Sequence, residues 1–410
     1  MKALLLTTGY LPYTFSECLC NAKLVYALQE NGWEVDVISR VNEGESYSTE
    51  WQEPWLCLQP NLYEVTYPMG STFSRCSDSL YSILKMGFPL SGIRWARRAY
   101  QLALKLHKEK KYDVILTRSP SDVCHVIGLK LKKRLGIRWM ANWNDPVDMI
   151  WPSEEPPYIR TSYKGLKRII YNHYFNSCFK YADVNSFPAQ TLLDHFKSYF
   201  PILSSSITSV IPHIGLTQTL FSQIPYEKRS KFRLIHAGNL VNKRNPELFF
   251  KALREIIDET NIPISFDIMG IMSEYMFQLV EKYKLHNVVN FIGSYSYIDA
   301  LNLMGKYDVL VLIEARMRNG IFFASKITDY AQVGRPILAI SPIKGFAKSI
   351  IDQYGGGCFV HNEDLCEIKK GIWELYMAWR DNNLLRRYNT KELCEQFDSN
   401  RVAKIYNSEI

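Results

Sequence analysis

The second half of the chain carries residue types that could hold a phosphate group. Arg244 stands in the loop after a predicted strand, Phe232–Ala237, and its planar fork can meet two phosphate oxygens at once. Lys243 beside it is a weaker candidate. Ser325 has an N-cap side chain, and the helix it would open turns unpaired N–H groups toward an anion. Lys326 follows it, and Gly320 lets the preceding chain come close to a ligand. Asp329 lies one helical turn beyond Ser325 on the same face, where a carboxylate suits hydrogen bonds to hydroxyls. Glu314 closes another predicted strand. Each also has an ordinary reading: an exposed loop arginine, a solvent-facing lysine, a structural i,i+4 acid.

The first half offers fewer such positions. Asp145 comes just after a predicted strand, Arg138–Asn142, and Pro146 fixes the turn that follows. An acid there could orient a hydroxyl or steady a cationic centre, or it could cap a helix. His125 fits a packed helix histidine better than a base. Gly9, Tyr10 and Ser16 lie in a turn-rich loop after the first strand, a loop whose backbone matters more than its side chains. No Asp-x-Asp occurs, and the nine cysteines contain neither a Cys-x-x-Cys pair nor a zinc spacing. No metal site is expected, and the thiols read as reduced and mostly buried.

These positions need elements to present them, and the hydrophobic pattern supplies two sets. In the first half, strands Ala3–Thr7, Glu34–Ile38, Tyr112–Leu116 and Arg138–Asn142 alternate with helices Leu19–Gln29, Ala96–Lys110 and His125–Leu135. The pattern restarts after a serine-rich stretch, with strands at 232–237, 264–269, 288–291, 308–313 and 336–340. Helices at 246–258, 273–284, 297–306 and 325–333 separate them. Strands joined through helices in this order pair in parallel by right-handed crossovers. Open parallel sheets hold ligands at the carboxyl ends of their strands, which is where the candidate residues fall.

A length of 410 residues fits two such domains, and 47% hydrophobic with 22% charged residues is the balance of an ordinary folded chain. No apolar run reaches the length of a membrane span, and Met1–Leu6 is too short for a signal peptide, so the chain is expected in the cytoplasm. The net charge of +8 is uneven: Lys85 to Arg138 holds fourteen Lys/Arg against three Asp/Glu. Such a field attracts nucleic acid, membrane headgroups or phosphorylated substrates, or is simply a solvated helix face. With no recognised nucleic-acid module, a nucleic-acid partner is not expected. Basic and aromatic residues mix at Phe88-Pro89-Leu90 with Trp95, Arg97 and Arg98, and again from Tyr158 to Tyr181. That mixture suits peripheral contact with an anionic membrane, or core helices with basic outer faces.

Four segments of the second half resemble the donor domain of GT-B glycosyltransferases, most closely family 4. They are His236-Ala237-Gly238-Asn239-Leu240 with Arg244-Asn245-Pro246-Glu247-Leu248, then Phe291–Tyr295 with Tyr307–Leu310, then Gly320–Tyr330, then Gly334–Ala339. The first half is similar more loosely, through Gly9-Tyr10-Leu11-Pro12, the helix start at Ser16 to Lys23, and Asn144-Asp145-Pro146. The likeness covers nearly the whole chain, and its order and spacing carry it. It implies two Rossmann-like doubly wound domains facing an interdomain cleft. Residues 1–209, rejoined by a C-terminal helix within 396–410, would bind the acceptor, and 210–395 the donor.

The same resemblance implies a retaining, metal-independent transfer of sugar from a nucleotide-diphosphate sugar to a glycan, lipid-linked or other acceptor. No cofactor is required; the nucleotide sugar is the donor substrate. Sugar transfer builds negative charge on the leaving phosphate, which cations and helix N-termini must neutralise where no metal does. On this reading Gly238, Asn239, Arg244, Glu314, Gly320, Phe323, Ser325, Lys326 and Asp329 hold the donor. Asp145, Arg244 and Lys326 carry catalysis, and Gly9, Tyr10, Ser16 and Asn144 line the acceptor side. Two departures stand out. The family often has two donor-loop glutamates separated by seven residues; Ile321 fills the first position and Asp329 the second. Asn239 replaces the family's first basic residue. These changes leave two rivals open: a nucleotide-sugar-binding protein of reduced activity, and a nucleotide-sugar 2-epimerase on the same scaffold.

Overall fold

Short apolar runs bounded by turn residues build two parallel sheets. Ala3, Leu4, Leu5 and Leu6 are fully buried, as are Val309, Leu310 and Val311, because strands this apolar need cover on both faces. The structure, a computed structural model, describes residues 1–410 apart from 12, 14, 43–60, 68–69, 120–121, 154–158, 161–162, 218 and 241–243; for 159–160 it describes the backbone alone. Lys243 and Tyr158 therefore lie outside the described residues.

The chain divides into two units, Met1–Ile214 with Ser399–Ile410, and Gly215–Asp398. In the first, strands β1 (Lys2–Leu6), β2 (Glu34–Asn42), β3 (Asn61–Tyr67), β4 (Val114–Arg118) and β5 (Arg138–Asn142) precede a two-residue antiparallel pair, β6 (Trp151–Pro152) and β7 (Ile159–Arg160). Then come β8 (Val184–Phe187) and β9 (Thr208–Val210). The main sheet runs β3-β2-β1-β4-β5-β8-β9, parallel throughout. Val210 pairs with Phe187 as part of that sheet. The last helix, Ser399–Glu409, packs on the first, Ser16–Glu30. Trp95, Trp139, Trp143, Phe175, Phe179 and Phe196 fill much of the core.

The second unit holds β10 (Phe232–Ala237), β11 (Ile264–Met269), β12 (Val289–Gly293), β13 (Val309–Ile313), β14 (Ile337–Ser341) and β15 (Gly357–His361). They form one parallel sheet in the order β12-β11-β10-β13-β14-β15. Strand order reverses between β10 and β13 here, and between β1 and β4 in the first unit. Those are the switch points where open sheets leave room for ligands.

Several helices run beyond what periodicity indicated. The first begins at Ser16, and the one expected from Ala96 begins at Ile93. Trp95 and Leu90 are buried, and Arg94 and Arg97 both bind the Asp78 carboxylate, so the basic–aromatic stretch at 88–98 faces largely inward. No helix among the described residues is long and apolar enough to cross a membrane.

Candidate functional site

In the second unit, the ends of β10, β13 and β14 bring one set of charged groups together. β10 stops at Ala237, and Gly238 turns the chain with a φ of +106°. Lys326, first residue of the helix Lys326–Val333, lays its side chain over that turn: a Cβ on Gly238 would sit 2.6 Å from both Cε and Nζ of Lys326. Burial pushes the ammonium down to about 8, the neighbouring charge of Arg244 adds to the fall, and Asp329 and Glu314 oppose it. Arg244 is exposed, yet its field also reaches His236 and Glu314. Lys326 thus lies over this turn, with the charges of Arg244, Asp329 and Glu314 acting on it.

The supporting contacts explain how the group is held. Glu314 follows β13, and its carboxylate accepts a hydrogen bond from Ser341 Oγ at 2.6 Å. Burial raises its pKa, while Ser341, Arg244 and Lys326 oppose the rise. Asp329 accepts a hydrogen bond from Tyr297 Oη at 2.5 Å. Tyr330 Oη takes the Ala237 N–H at 3.0 Å, tying the helix to the end of β10. His236 Nδ1 lies 2.8 Å from the Val311 carbonyl, an acceptor only, so Nδ1 carries the proton. Burial, then Lys326, holds this ring well below its usual pKa, so it is neutral.

Three residues expected at this site do structural work as well, and a fourth, Ser325, does not cap its helix. Asn239 Oδ1 accepts from Ile271 N at 2.8 Å and pins two neighbouring turns together. Gly320 pairs with Gly345 in an isolated bridge; a Cβ on Gly320 would come within 3.2 Å of Gly345 Cα. The close approach that this glycine permits is therefore to another stretch of backbone. Phe323 is buried, stacked on Phe346 with ring centroids 4.0 Å apart and edge-on to Phe397. Ser325 precedes the helix, but its side chain makes no capping bond. Its backbone is helical (φ −55°, ψ −25°), which aims the hydroxyl away from the N2 and N3 amides that an extended N-cap would reach.

In the first unit a buried polar group forms at the ends of β1, β4 and β5. Asn21 Nδ2 donates to the Gly9 carbonyl (2.6 Å) and to Thr7 Oγ1 (3.0 Å), fixing the loop after β1. Tyr10 is buried and Ser16 is exposed at the start of the first helix. Asn144 donates from Nδ2 to Glu17 Oε1 at 2.7 Å and from its backbone to Ser119 Oγ at 2.8 Å. Arg118 Nε is 3.7 Å from the same Glu17 oxygen. Burial pushes the Glu17 carboxyl up to about 8, against the pull of Arg118, with Asp145 adding to the rise. Asp145 itself is half-buried and caps no helix: the next helical turn is the short Asp148–Ile150, preceded by Val147. His125 is fully buried, bound through Nδ1 to Thr117 Oγ1 (2.8 Å) and packed on Trp143, a structural histidine.

Sequence reasoning did not single out Glu17, Arg118, Asn21 or Tyr297. Arg118 could have been found by the rule used for Asp145, since it ends a strand. Tyr297 carried no signal beyond its place on a helix. Among the described residues, no group of three His, Cys, Asp or Glu is placed to hold a metal ion.

Residues 218–392 match the family model described as glycosyl transferases group 1. No curated protein matches the sequence. Sucrose-phosphate synthase from Thermosynechococcus elongatus superposes with a TM-score of 0.69 at 13% identity, over 100% of this chain and 98% of that one. HepE of Anabaena, in complex with UDP, gives 0.68 at 14%, over 100% and 99%. A variant of S. aureus TarM, in complex with fondaparinux, alpha-GlcNAc-glycerol and UDP, gives 0.65 at 9%, over 100% and 99%. At such identities the likeness is one of fold: α/β with two parallel sheets, as in GT-B structures.

Proposed function

We propose, from the premise that residues 218–392 make this chain a member of the glycosyl transferases group 1 family and so a glycosyltransferase, that it needs no divalent ion to transfer its sugar. Lys326 and Arg244 neutralise the diphosphate of the donor as it departs. The observation that carries this is the Lys326 ammonium lying over the Gly238 turn, within the field of Arg244. The charge of Arg244 disfavours the Lys326 ammonium, and a diphosphate, opposite in charge to both, would favour each. The acid Asp329, steadied by Tyr297, suits the ribose hydroxyls. Glu314, whose pKa burial raises, suits a sugar hydroxyl.

In this proposal the first unit takes the acceptor, a carbohydrate or a lipid-linked sugar, through the Gly9–Tyr10 loop with Ser16, Asn144 and Asp145. Asp145 orients the acceptor hydroxyl or steadies the oxocarbenium-like centre, and the anomeric configuration is retained. HepE binds UDP, so UDP-sugars are the first donors to test. The test is a calorimetric panel of UDP-, GDP- and ADP-sugars with and without EDTA. One nucleotide class is expected to bind equally well with chelator, and Arg244→Ala and Lys326→Ala each to weaken it at least about tenfold. Binding that requires added Mg²⁺, or that ignores both substitutions, would overturn the proposal.

A second reading has its own support. Ile321, buried, stands where the family often has a glutamate, and Asn239 holds a turn where it has a cation. Both fit a nucleotide-sugar-binding protein of reduced activity. Release of free sugar from the donor separates the two, because a transferase leaks some sugar to water and a binding protein does not.

A further inference from the structure

The helix Thr72–Met86 turns its polar side inward and its apolar side out. Asp78, on the inner side, accepts from Arg94 Nε at 2.7 Å and from Arg97 at 2.6 Å. Ser82 accepts from Arg97 Nε at 3.0 Å, and Met86 is buried. On the opposite side Phe73, Leu80 and Leu84 are 86%, 61% and 74% exposed. At 3.6 residues per turn the three fall within about 40° of one another, in a stripe roughly 16 Å long. Surface helices ordinarily show charge to water and hide such a stripe. Both ends of this helix are fixed, by the Ser71 side chain on Ser74 N and by Gly87 in the left-handed region, so the stripe is preformed.

A second apolar outcrop lies on the same unit. Leu166 and Ile169, at the start of the helix Gly165–Tyr181, are 71% and 66% exposed, among the exposed cations Lys164, Lys167 and Arg168. Phe88, just past the end of Thr72–Met86, packs on Tyr174 of Gly165–Tyr181 with ring centroids 4.8 Å apart. Helices Thr72–Met86, Ile93–Lys110, Val123–Leu135 and Gly165–Tyr181 pack in succession. Together they hold fifteen Lys/Arg and two Asp/Glu; Arg94 and Arg97 pair with Asp78, Lys110 with Asp36 and Lys132 with Asp183, which leaves eleven cations outside these pairs against Glu109. Exposed apolar side chains therefore sit within a strongly positive helix layer.

A nucleic acid would use the field and leave the stripe in water. A second copy of this chain would meet like charge. A bilayer with anionic headgroups uses both features, taking the lysines and arginines at its surface and the apolar side chains at the acyl boundary. We propose that this helix layer is a docking surface for an anionic phospholipid membrane, with Phe73, Leu80 and Leu84 entering the headgroup–acyl boundary. The proposal is independent of the donor site and of the sugar-transfer reading.

The test is flotation of the full chain with vesicles of phosphatidylcholine alone and of phosphatidylcholine mixed with phosphatidylglycerol. The chain is expected to float with the mixed vesicles only, and less in high salt. A Phe73→Ser/Leu80→Ser/Leu84→Ser variant is expected to lose at least about tenfold in bound fraction at an unchanged unfolding temperature. A Leu80→Trp variant, otherwise wild type, should shift its emission to the blue on mixed vesicles. Equal binding to neutral vesicles, undiminished binding by the triple variant, or no shift from Leu80→Trp would each overturn the proposal. So would self-association or duplex DNA binding that the triple substitution abolishes while vesicle binding stays absent.

Discussion

Lys326 and Gly238 are matched to each other: the lysine's terminal carbon and nitrogen occupy the space that a side chain on Gly238 would need. Gly238 also holds a φ of +106°, which L side chains rarely adopt. Gly238→Ala is therefore expected to act twice. It should lower stability by about 1–2 kcal/mol through backbone strain, and it should displace the ammonium and weaken nucleoside diphosphate binding at least about tenfold. Urea unfolding and calorimetric titration measure the two effects separately. Unchanged affinity in a destabilised variant would show that the position of Lys326 does not matter for binding.

The depressed pKa of Lys326 gives a pH dependence with a definite sign. The free protein carries the charge below about 8 and loses it above. A diphosphate binds the charged form better, so affinity should be flat at lower pH and fall by about tenfold per pH unit above that point. Lys326→Arg keeps its charge throughout, and the fall should vanish in titrations of UDP at rising pH. A fall that persists in the arginine variant would belong to another group.

How far this was legible from the sequence depended on whether burial was needed to see it. Strands such as Val309–Ile313 announce themselves by continuous apolar character. β8, Val184–Phe187, does not, because Asn185 and Ser186 are polar residues buried in mid-sheet, where Asn185 is satisfied by Phe179 O and Trp143. β3 hid for the opposite reason: it is a sheet edge with none of its residues fully buried. Arg244, Glu314, Lys326 and Asp329 were visible as charges after strands or on a helix face. Arg118 was open to the same rule, but its meeting with Glu17 was not visible, since the two lie about a hundred residues apart in sequence and meet only in the folded unit. Ser325 has the right chemistry for an N-cap but the wrong backbone, and composition alone does not report dihedral angles.

The Tyr297–Asp329 hydrogen bond lies at the proposed donor site and offers a readout that singles out the nucleoside. If Asp329 holds the ribose, Tyr297→Phe removes one fixing bond worth about 1 kcal/mol. UDP affinity should drop roughly fivefold, while inorganic pyrophosphate, which has no ribose, should bind as before. Parallel titrations of both ligands check this. An equal loss for the two would assign Asp329 to the electrostatics of Lys326 instead.

Glu17 makes the stability of the protein fall as pH rises through the neutral range. Its folded pKa, about 8, lies above the ordinary value of 4.5, so the folded state binds more protons than the unfolded one between those limits. Stability contributed by this group is complete below about pH 4.5 and is lost progressively up to about 8, at about 1.4 kcal/mol per pH unit. The groups that face it, Arg118, Asn144, Asn21 and Asp145, set the remaining charge balance. Glu17→Gln preserves an acceptor for the Asn144 amide but cannot ionise. Urea unfolding at successive pH values should show a downward slope in the parent and a flatter one in the variant, with the variant more stable at alkaline pH. Parallel slopes would mean that Glu17 ionises at its ordinary pKa, paired with Arg118, and that the buried acid is charged at neutral pH.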